Sequence, residues 1–523
     1  METYFYLRSP RIGFDFYQIL FFKEKTLNLK KDLTDGILEE CTKLINRYHD
    51  YHNSLNSEYV RNKKRLIISP KKVIKRPSYW ATNKGCDPFY VKKNHKAIIK
   101  SILKKISEKS YKPLEASTLL IPKDDGKMRT VIIYQIADAV VSKIFYKHLL
   151  AKNKHRFSSF AYAYRNDRNV HFAIQDVSID LHRNDRSFVA EFDFSDFFGN
   201  ISHQYLFKQF ESNGFNISQE EEFIIKAFLD LEKGKGIPQG TSISLFLANL
   251  ACWQLDYKLE KEGLKFARYA DDTLIWSTDY QKICNSFNII TAFSRSAGIP
   301  INATKSAGIS LLKQKDFIGS EFSHSSTKKS VDFLGYSISV DAISFREKSI
   351  SNIKKEISYL LYKNLIQPLK NNNFKVFTSI EKEKDYNLMV ALTQIKRYIY
   401  GGLTHRQLLN YINGRSKRLQ FKGIMSFYPL VNDKKQLESL DGWLISTLHR
   451  CINLRYKLLL KNGYILPSGY SFPLDKKNLI KKLNRTSYYE VPSFLLILKA
   501  LDIGLKNEGL PHLIRYDHYE YDY

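Results

Sequence analysis

The chain has few of the staples that hold small or secreted proteins together. Only five cysteines occur in 523 residues, at Cys41, Cys86, Cys252, Cys284 and Cys451. None forms a CxxC pair or stands near a histidine at zinc-ligand spacing, which excludes a structural zinc and leaves reduced thiols as the expectation. Long apolar runs are missing too. The best candidate, Phe14 to Phe22, falls short of the roughly 20 residues that span a bilayer, and no basic segment leads it to a small-residue cleavage site. We therefore expect no membrane partner and a cytoplasmic location. No internal repeat is found, and acid is scarce relative to base.

Base is what the chain has in excess. Against 53 Asp and Glu stand 82 Lys and Arg, a formal charge of +29. Such self-repulsion is relieved by a polyanion, which points to nucleic acid; a lysine-rich composition bias is the other account of the same figure. Hydrophobic residues make up 43% and aromatics 14%, so a disordered basic tail is excluded. At about 100 to 200 residues per domain, the length suggests two to four units.

Along the chain, residues 1 to 60 read as a mostly helical extension, with Ile37, Cys41, Leu44 and Ile45 at helical spacing. Arg61 to Arg76 is a basic stretch broken by Pro70 and reads as an exposed arm. Residues 77 to 345 alternate strand and helix signals, with Gly319 to Lys329 as a surface loop. Past residue 346 strand patterns largely stop, while Leu437, Leu440, Leu444, Leu448 and Ile452 recur at helical spacing.

The chemistry-bearing residues fall in the middle section. Tyr269-Ala270-Asp271-Asp272 lies within the alternating stretch Phe266 to Ser277 and puts two adjacent carboxylates on a hairpin. Neighbouring acids are hard to bury as ions without a cation between them. Upstream, Ser187 to Phe194 alternates like a half-buried strand, which places Asp193 at a strand end on the face away from the phenylalanines. Three acids on two strands suit a pair of hard cations about 3.5 to 4 Å apart and in-line nucleotidyl transfer. Between them lies Gly236-Ile237-Pro238-Gln239-Gly240-Thr241-Ser242, followed by the helix-compatible run Ile243 to Leu255. It reads as a ligand loop at a helix N-terminus or as an ordinary turn before a core helix. Ile121 to Val131 reads as a hairpin with an Asp-Gly turn, whose Lys123 and Arg129 could reach a triphosphate; a solvated hairpin is the alternative, and Lys127 is assigned to it.

In this order the motifs resemble the reverse transcriptases over roughly residues 75 to 345. Ile301-Asn302-Ala303-Thr304-Lys305-Ser306 and Phe333-Leu334-Gly335-Tyr336 complete the series. The resemblance implies an α+β right-hand polymerase. Residues 1–74 would be a helical extension with a basic arm, 75–345 the fingers and palm, and 346–523 an all-α C-terminal domain in the place of a thumb. It implies that Asp193, Asp271 and Asp272 bind two Mg²⁺ ions, with Mn²⁺ as a substitute. Phe198 would be the gate against a 2′-hydroxyl, Gln239 would lie along the incoming deoxynucleotide, and Lys123 with Arg129 would grip its phosphates. Lys305 would protonate the leaving pyrophosphate, and Phe333 to Tyr336 would hold the primer end.

Among reverse transcriptases the chain is most similar to the bacterial defence-associated and abortive-infection group, through Phe160 to Arg165, Tyr79-Trp80, Asp87-Pro88-Phe89 and Leu440-Asp441-Gly442-Trp443. It shows no zinc-type endonuclease motif, no RNase H acidic cluster and no Asn-Ala-x-x-His signature. In that group an RNA partner, untemplated synthesis or priming from a protein tyrosine is expected; Tyr516, Tyr519, Tyr521 and Tyr523 are candidates for the last, against a plain solvated tail. Lys396 to Tyr400 and Arg415 to Lys422 interleave basic and aromatic residues, suiting nucleic acid or core packing alike. A retroelement enzyme copying its own RNA and a non-catalytic nucleic-acid scaffold are the other readings, and self-association is left open.

Overall fold

The computed structural model describes residues 28–65, 76–122, 126, 128–306, 308–313, 327–370, 380–485 and 488–513. The apolar spacing of the N-terminal segment yields one long helix, α1 (Leu29–Arg65), which buries Leu33, Ile37 and Cys41 on successive turns. The helix runs past residue 60, so the first part of the basic stretch is helical and not an arm: Arg and Lys are good helix formers once a helix is under way. The remainder of that stretch, 66–75, lies outside the described residues. α2 (Ser78–Thr82) and α3 (Pro88–Ser107) follow. Next comes an antiparallel ribbon, β1 (Ser117–Pro122) and β2 (Met128–Ile133), and then α4 (Ile136–Asn153) and α5 (Val170–His182).

The central sheet is built from β3 (Arg186–Phe192), β4 (Lys265–Tyr269), β5 (Asp272–Ser277), β6 (Gly308–Lys313) and β7 (Thr327–Lys328). Its strand order is β4-β5-β3-β6-β7, antiparallel except for the parallel pair β6 and β7. Short helices α6 (Phe197–Asn200), α7 (His203–Ser212) and α8 (Gln219–Phe228) lead to α9 (Ser242–Lys261), and α10 (Tyr280–Ala297) follows β5. β7 corrects the reading of 319–329 as loop throughout, since Thr327 and Lys328 pair with Leu311 and Leu312. Backbone donors beside an exposed strand edge take a partner where the chain passes close enough.

β3 also departs from the half-buried expectation. Phe188, Val189 and Ala190 are all buried, because β3 is central and both faces of the sheet are covered. Phe188, Ala190 and Phe192 join the core that holds α4 and α9, while Val189 joins a second core with Leu274 and Trp276. Alternation survives as a choice between two apolar layers. The second core also contains the antiparallel strands β8 (Val331–Phe333), β9 (Tyr336–Ile338) and β10 (Ile343–Phe345).

Beyond them the described chain is helical through α11 (Glu347–Leu361), a π turn at Tyr362–Ile366, and α12 (Gln367–Lys370). α13 (Tyr386–Tyr400), α14 (His405–Ile412), α15 (Lys434–Lys461), α16 (Lys476–Arg485) and α17 (Phe494–Glu508) come later. One ribbon, β11 (Ile380–Glu381) with β12 (Lys384–Asp385), interrupts this region, so it is not wholly α. The ribbon delivers Asp385 to cap α13, where its carboxylate accepts from the Asn387 and Leu388 amides.

Candidate active site

The hairpin joining β4 to β5 is as tight as a hairpin can be. Tyr269 pairs with Asp272, leaving Ala270 and Asp271 as the turn, and Ala270 takes φ +60°. A positive φ at the first turn position only is the II′ pattern that glycine favours, so an alanine here is strained. Arg268 holds the strain in place. Its guanidinium is fully buried, forks Asp256 of α9 at 2.7 and 2.6 Å, and donates to the Ala270 carbonyl at 3.0 Å. The same guanidinium reaches Asn249 Oδ1 at 3.3 Å, and Asn249 in turn donates to the Ala163 carbonyl.

Register places the acids. Phe192 pairs with Thr273, so the next step out of the sheet sets Asp193 beside Asp272, on the face shared by Val189, Glu191 and Leu274. The segment 300–306 is stitched to this strand end: Ser195 N donates to Pro300 O, Asn302 N to Asp193 O, and Asp193 N to Ser306 Oγ. Asp193 Oδ2 accepts from Asn302 Nδ2 at 2.8 Å and lies 3.3 Å from Lys305 Nζ. Asp272 is half-buried and pushed up to about 7, first by desolvation and then by Asp271, Asp193 and Glu191. Desolvation raises Asp271 as well, with Asp193 adding to it and Arg129 and Lys305 opposing.

The glycine loop closes the other side. Gly236 N donates to Ile201 O and Ile237 N to Phe198 O, while Ile132 N at the end of β2 donates to Gln239 O. At Gly240, φ +118°, a Cβ would stand 2.0 Å from the Ile132 carbonyl oxygen, so only glycine fits. Ser142 of α4 caps α9 in place of a neighbouring side chain, accepting from Ile243 N at 2.9 Å. Phe198 is half-buried, its ring 6.4 Å from Tyr164, and Gln239 is half-buried. Arg129 is exposed on β2 opposite Ile121.

Residues 121–338 match the family model described as Reverse transcriptase (RNA-dependent DNA polymerase). Over those residues, fewer than half of the chain, it is similar to the reverse transcriptases. It is similar to Protein YkfC of Escherichia coli (strain K12), at 25% identity over 186 residues that cover 33% of this chain and 48% of that protein. The Retron Ec86 reverse transcriptase of Escherichia coli is 30% identical over 124 residues, covering 23% of this chain and 37% of that one. The chain thus spans less than half the length of either relative. Telomerase from Candida albicans, solved in complex with a TWJ fragment of telomeric RNA, aligns at a TM-score of 0.34 and 13% identity over 76% of this chain and 69% of that one.

Within the matched stretch, the three acids do not stand as a closed ligand set. Among the described residues no trio of His, Cys, Asp and Glu is gathered tightly enough to hold an ion, and Asp193 is engaged by Asn302 and Lys305. The donor chemistry nonetheless fits a divalent ion: Asp271 and Asp272 are half-buried carboxylates with raised pKa and no ion-pair partner among the described residues, and hard oxygens suit Mg²⁺.

The structure adds detail at several of the quoted motifs. Phe333 and Tyr336 are buried, and the turn between β8 and β9 presents Leu334 and Gly335 instead, both at positive φ. Asp441 of the Leu-Asp-Gly-Trp motif caps α17, accepting from Ser493 Oγ at 2.6 Å and Phe494 N at 2.7 Å, so that motif is a helix joint. Lys123 and Tyr516, Tyr519, Tyr521 and Tyr523 lie outside the described residues. Arg268, Asp256, Asn249 and Asn302 were not singled out by sequence reasoning; an arginine inside an apolar strand was the one available signal. Beside Tyr269 opens a cavity of about 580 Å³, lined by Lys143, Lys147, Arg168, Tyr162 and Tyr164 among others. Arg168 Nε is buried there with no hydrogen-bond partner among the described residues.

Proposed function

We propose that the chain is a Mg²⁺-dependent DNA polymerase of reverse-transcriptase type, with fingers and palm in residues 75–345 and the helical region 346–523 in the place of a thumb. The observation that carries this reading is the register that sets Asp193 beside Asp272, one residue from the strained turn at Asp271. Two Mg²⁺ ions held by Asp193, Asp271 and Asp272 would supply Lewis-acid charge to the attacking hydroxyl and the leaving oxygens; Mn²⁺ would substitute.

The chain's own residues do the rest. The primer 3′-hydroxyl loses its proton to solvent and attacks the α-phosphorus of a dNTP, the bond from that phosphorus to the bridging oxygen breaks, and pyrophosphate leaves. Lys305 would give up its contact with Asp193 and donate a proton to that pyrophosphate. Arg129 would fork the phosphate oxygens and Lys123 would act on them as a point charge, Phe198 would fill the space a 2′-hydroxyl needs, and Gln239 would line the nucleotide. The cationic, tyrosine-lined cavity beside Tyr269 is suited to a template strand. We assign the biology to bacterial antiviral defence, with an associated RNA or by untemplated or protein-primed synthesis, on the resemblance of Phe160 to Arg165 and its companion motifs.

A retroelement role is the second reading, favoured by the 30% identity to a retron enzyme. Asp271→Ala with Asp272→Ala should abolish dNTP incorporation while the melting transition stays; wild-type synthesis would remove these acids from the site. Sequencing the copurifying nucleic acid and the DNA made from it separates the biological readings. A defined product copied from one bound RNA supports the retroelement, an untemplated product supports the defence assignment, and absence of any product supports a scaffold.

A further inference from the structure

The N-terminal helices, outside the stretch matched to the family, carry a surface of their own. Lys92, Lys93, Lys96, Lys100 and Lys104 are exposed on α3. At 100° per residue, Phe89, Lys93, Lys96 and Lys100 fall within about 60° of one another, and the run from Phe89 to Lys104 is about 22 Å long. Lysines four apart repel along a helix. Only Lys104 among these five is given an acidic partner by the described residues, Glu108 at 3.8 Å, while Lys92 donates to Thr42. A helix face loaded this way is costly until a polyanion lies on it.

Aromatic rings stand at the head of this row. Tyr48 of α1 lies 5.4 Å from Trp80 and 6.3 Å from Phe89, and His49 lies 6.3 Å from Phe89. The Arg76 guanidinium sits 5.8 Å from the Phe89 ring centre. Trp80 is buried and braces the group, whereas Phe89, His49, Tyr51 and Tyr90 present their rings to solvent. After Cys41, none of the described side chains of α1 is fully buried, so this half of the helix has an open face. Of the acids nearby, Asp87 caps α3 through the Phe89 amide, Asp50 lies among histidines and tyrosines on α1, and Glu40 of α1 acts on the same Cys41 thiol as Lys92; none of them is ion-paired with Lys93, Lys96 or Lys100 among the described residues.

We infer that α1, α2 and α3 form a binding surface for single-stranded nucleic acid. Phe89 and His49 stack bases, and Lys93, Lys96 and Lys100 follow the phosphates. Rings beside a basic track fit a single strand because unpaired bases expose their faces, whereas a duplex or a lipid surface offers charge without them. The surface uses none of the three acids of the polymerase reading, although α2 and α3 fall within the residues proposed as fingers, and it is tested by binding and not by synthesis.

The test is fluorescence anisotropy on the full chain without dNTPs, titrating labelled 20-nucleotide U-run RNA, T-run DNA and a duplex over a range of KCl. Lys93→Gln/Lys96→Gln/Lys100→Gln should weaken single-strand binding at least 10-fold and flatten the log–log salt slope by about 2, three phosphate contacts at about 0.7 each. Phe89→Ala with His49→Ala should weaken it about 10-fold with the slope unchanged, since stacking releases no counterions. Loss on RNA alone or on both strands assigns the ligand. Wild-type affinity and slope in both variants, or an equal loss on duplex, would overturn the proposal. dNTP incorporation by the wild-type chain, measured in parallel, tests the polymerase reading alone, so a failed surface and a failed polymerase reading are told apart.

Discussion

Two buried arginine–aspartate forks sit in different halves of the molecule, and they do different things with the same chemistry. Arg268 grips Asp256 at 2.7 and 2.6 Å, and Arg455 of α15 grips Asp385 at 2.7 and 3.1 Å; all four side chains are almost wholly buried. Each arginine has one bond to spare for a backbone carbonyl. Arg268 uses it on Ala270, inside the acid-bearing turn, and Arg455 on Leu365, inside the π turn that leads to α12. The first fork shapes a site and the second ties a helical joint. Burying an ion pair seldom adds stability over a well-packed apolar pair, so what the forks supply is position.

The largest expected effect comes from breaking the first fork. Arg268→Met leaves Asp256 buried without its partner, which should cost about 3–5 kcal/mol in a urea titration. It should also cost activity, because the Ala270 carbonyl is no longer held. Stability and position separate in the double variant Arg268→Met with Asp256→Leu. The fold should recover most of the loss, but dNTP incorporation per folded molecule should stay about 100-fold down, the scale of a misplacement near 1 Å. Full recovery of both would reduce Arg268 to a packing residue.

Next is the second fork. Arg455→Met should cost a similar amount, about 3–5 kcal/mol. Asp385→Asn added to it keeps the cap on α13 and should restore much of the stability. In neither protein should incorporation per folded molecule change. A loss there equal to that of the Arg268 variants would end the contrast between the forks.

The forks also mark where sequence reading reaches its limit. The Asp271 hairpin, the Asp193 strand and the Gly240 loop are legible because turn chemistry and alternation are local, and Gly240 in particular is forced by the Ile132 carbonyl. Arg268 and Asp256 pair across a strand and a helix, and Ser142 caps a helix that starts a hundred residues later. No spacing rule encodes such partners. Two-sided burial of β3 hid for a related reason: Val189 looks outward only if nothing covers that face, and what covers it is the C-terminal core. The short β11–β12 ribbon lies in a stretch whose helical period says nothing of a two-residue strand.

The smallest predicted effect is a pair of opposite pH slopes in the metal-free protein. Asp272 is held at about 7, above its ordinary value near 3.8, so the folded state keeps a proton that the unfolded state releases. Its contribution makes stability fall as pH rises from about 4 to 7. His171 of α5 is buried beside the Tyr336 hydroxyl, 3.3 Å away, and burial pushes it down to about 4 from 6.5. There the unfolded state binds the extra proton, so stability rises over the same window and is lost as pH falls from 6.5 towards 4. His171→Gln should remove the rising component, worth at most about 3 kcal/mol at about 1.4 kcal/mol per pH unit, and leave the falling one; Asp272→Asn should do the reverse. Adding Mg²⁺ should flatten only the Asp272 slope, because an ion bound by the carboxylate replaces the proton. Melting curves at pH 4.5 to 7.5 that shift identically in both variants would show that the two regions share one titration instead of carrying their own.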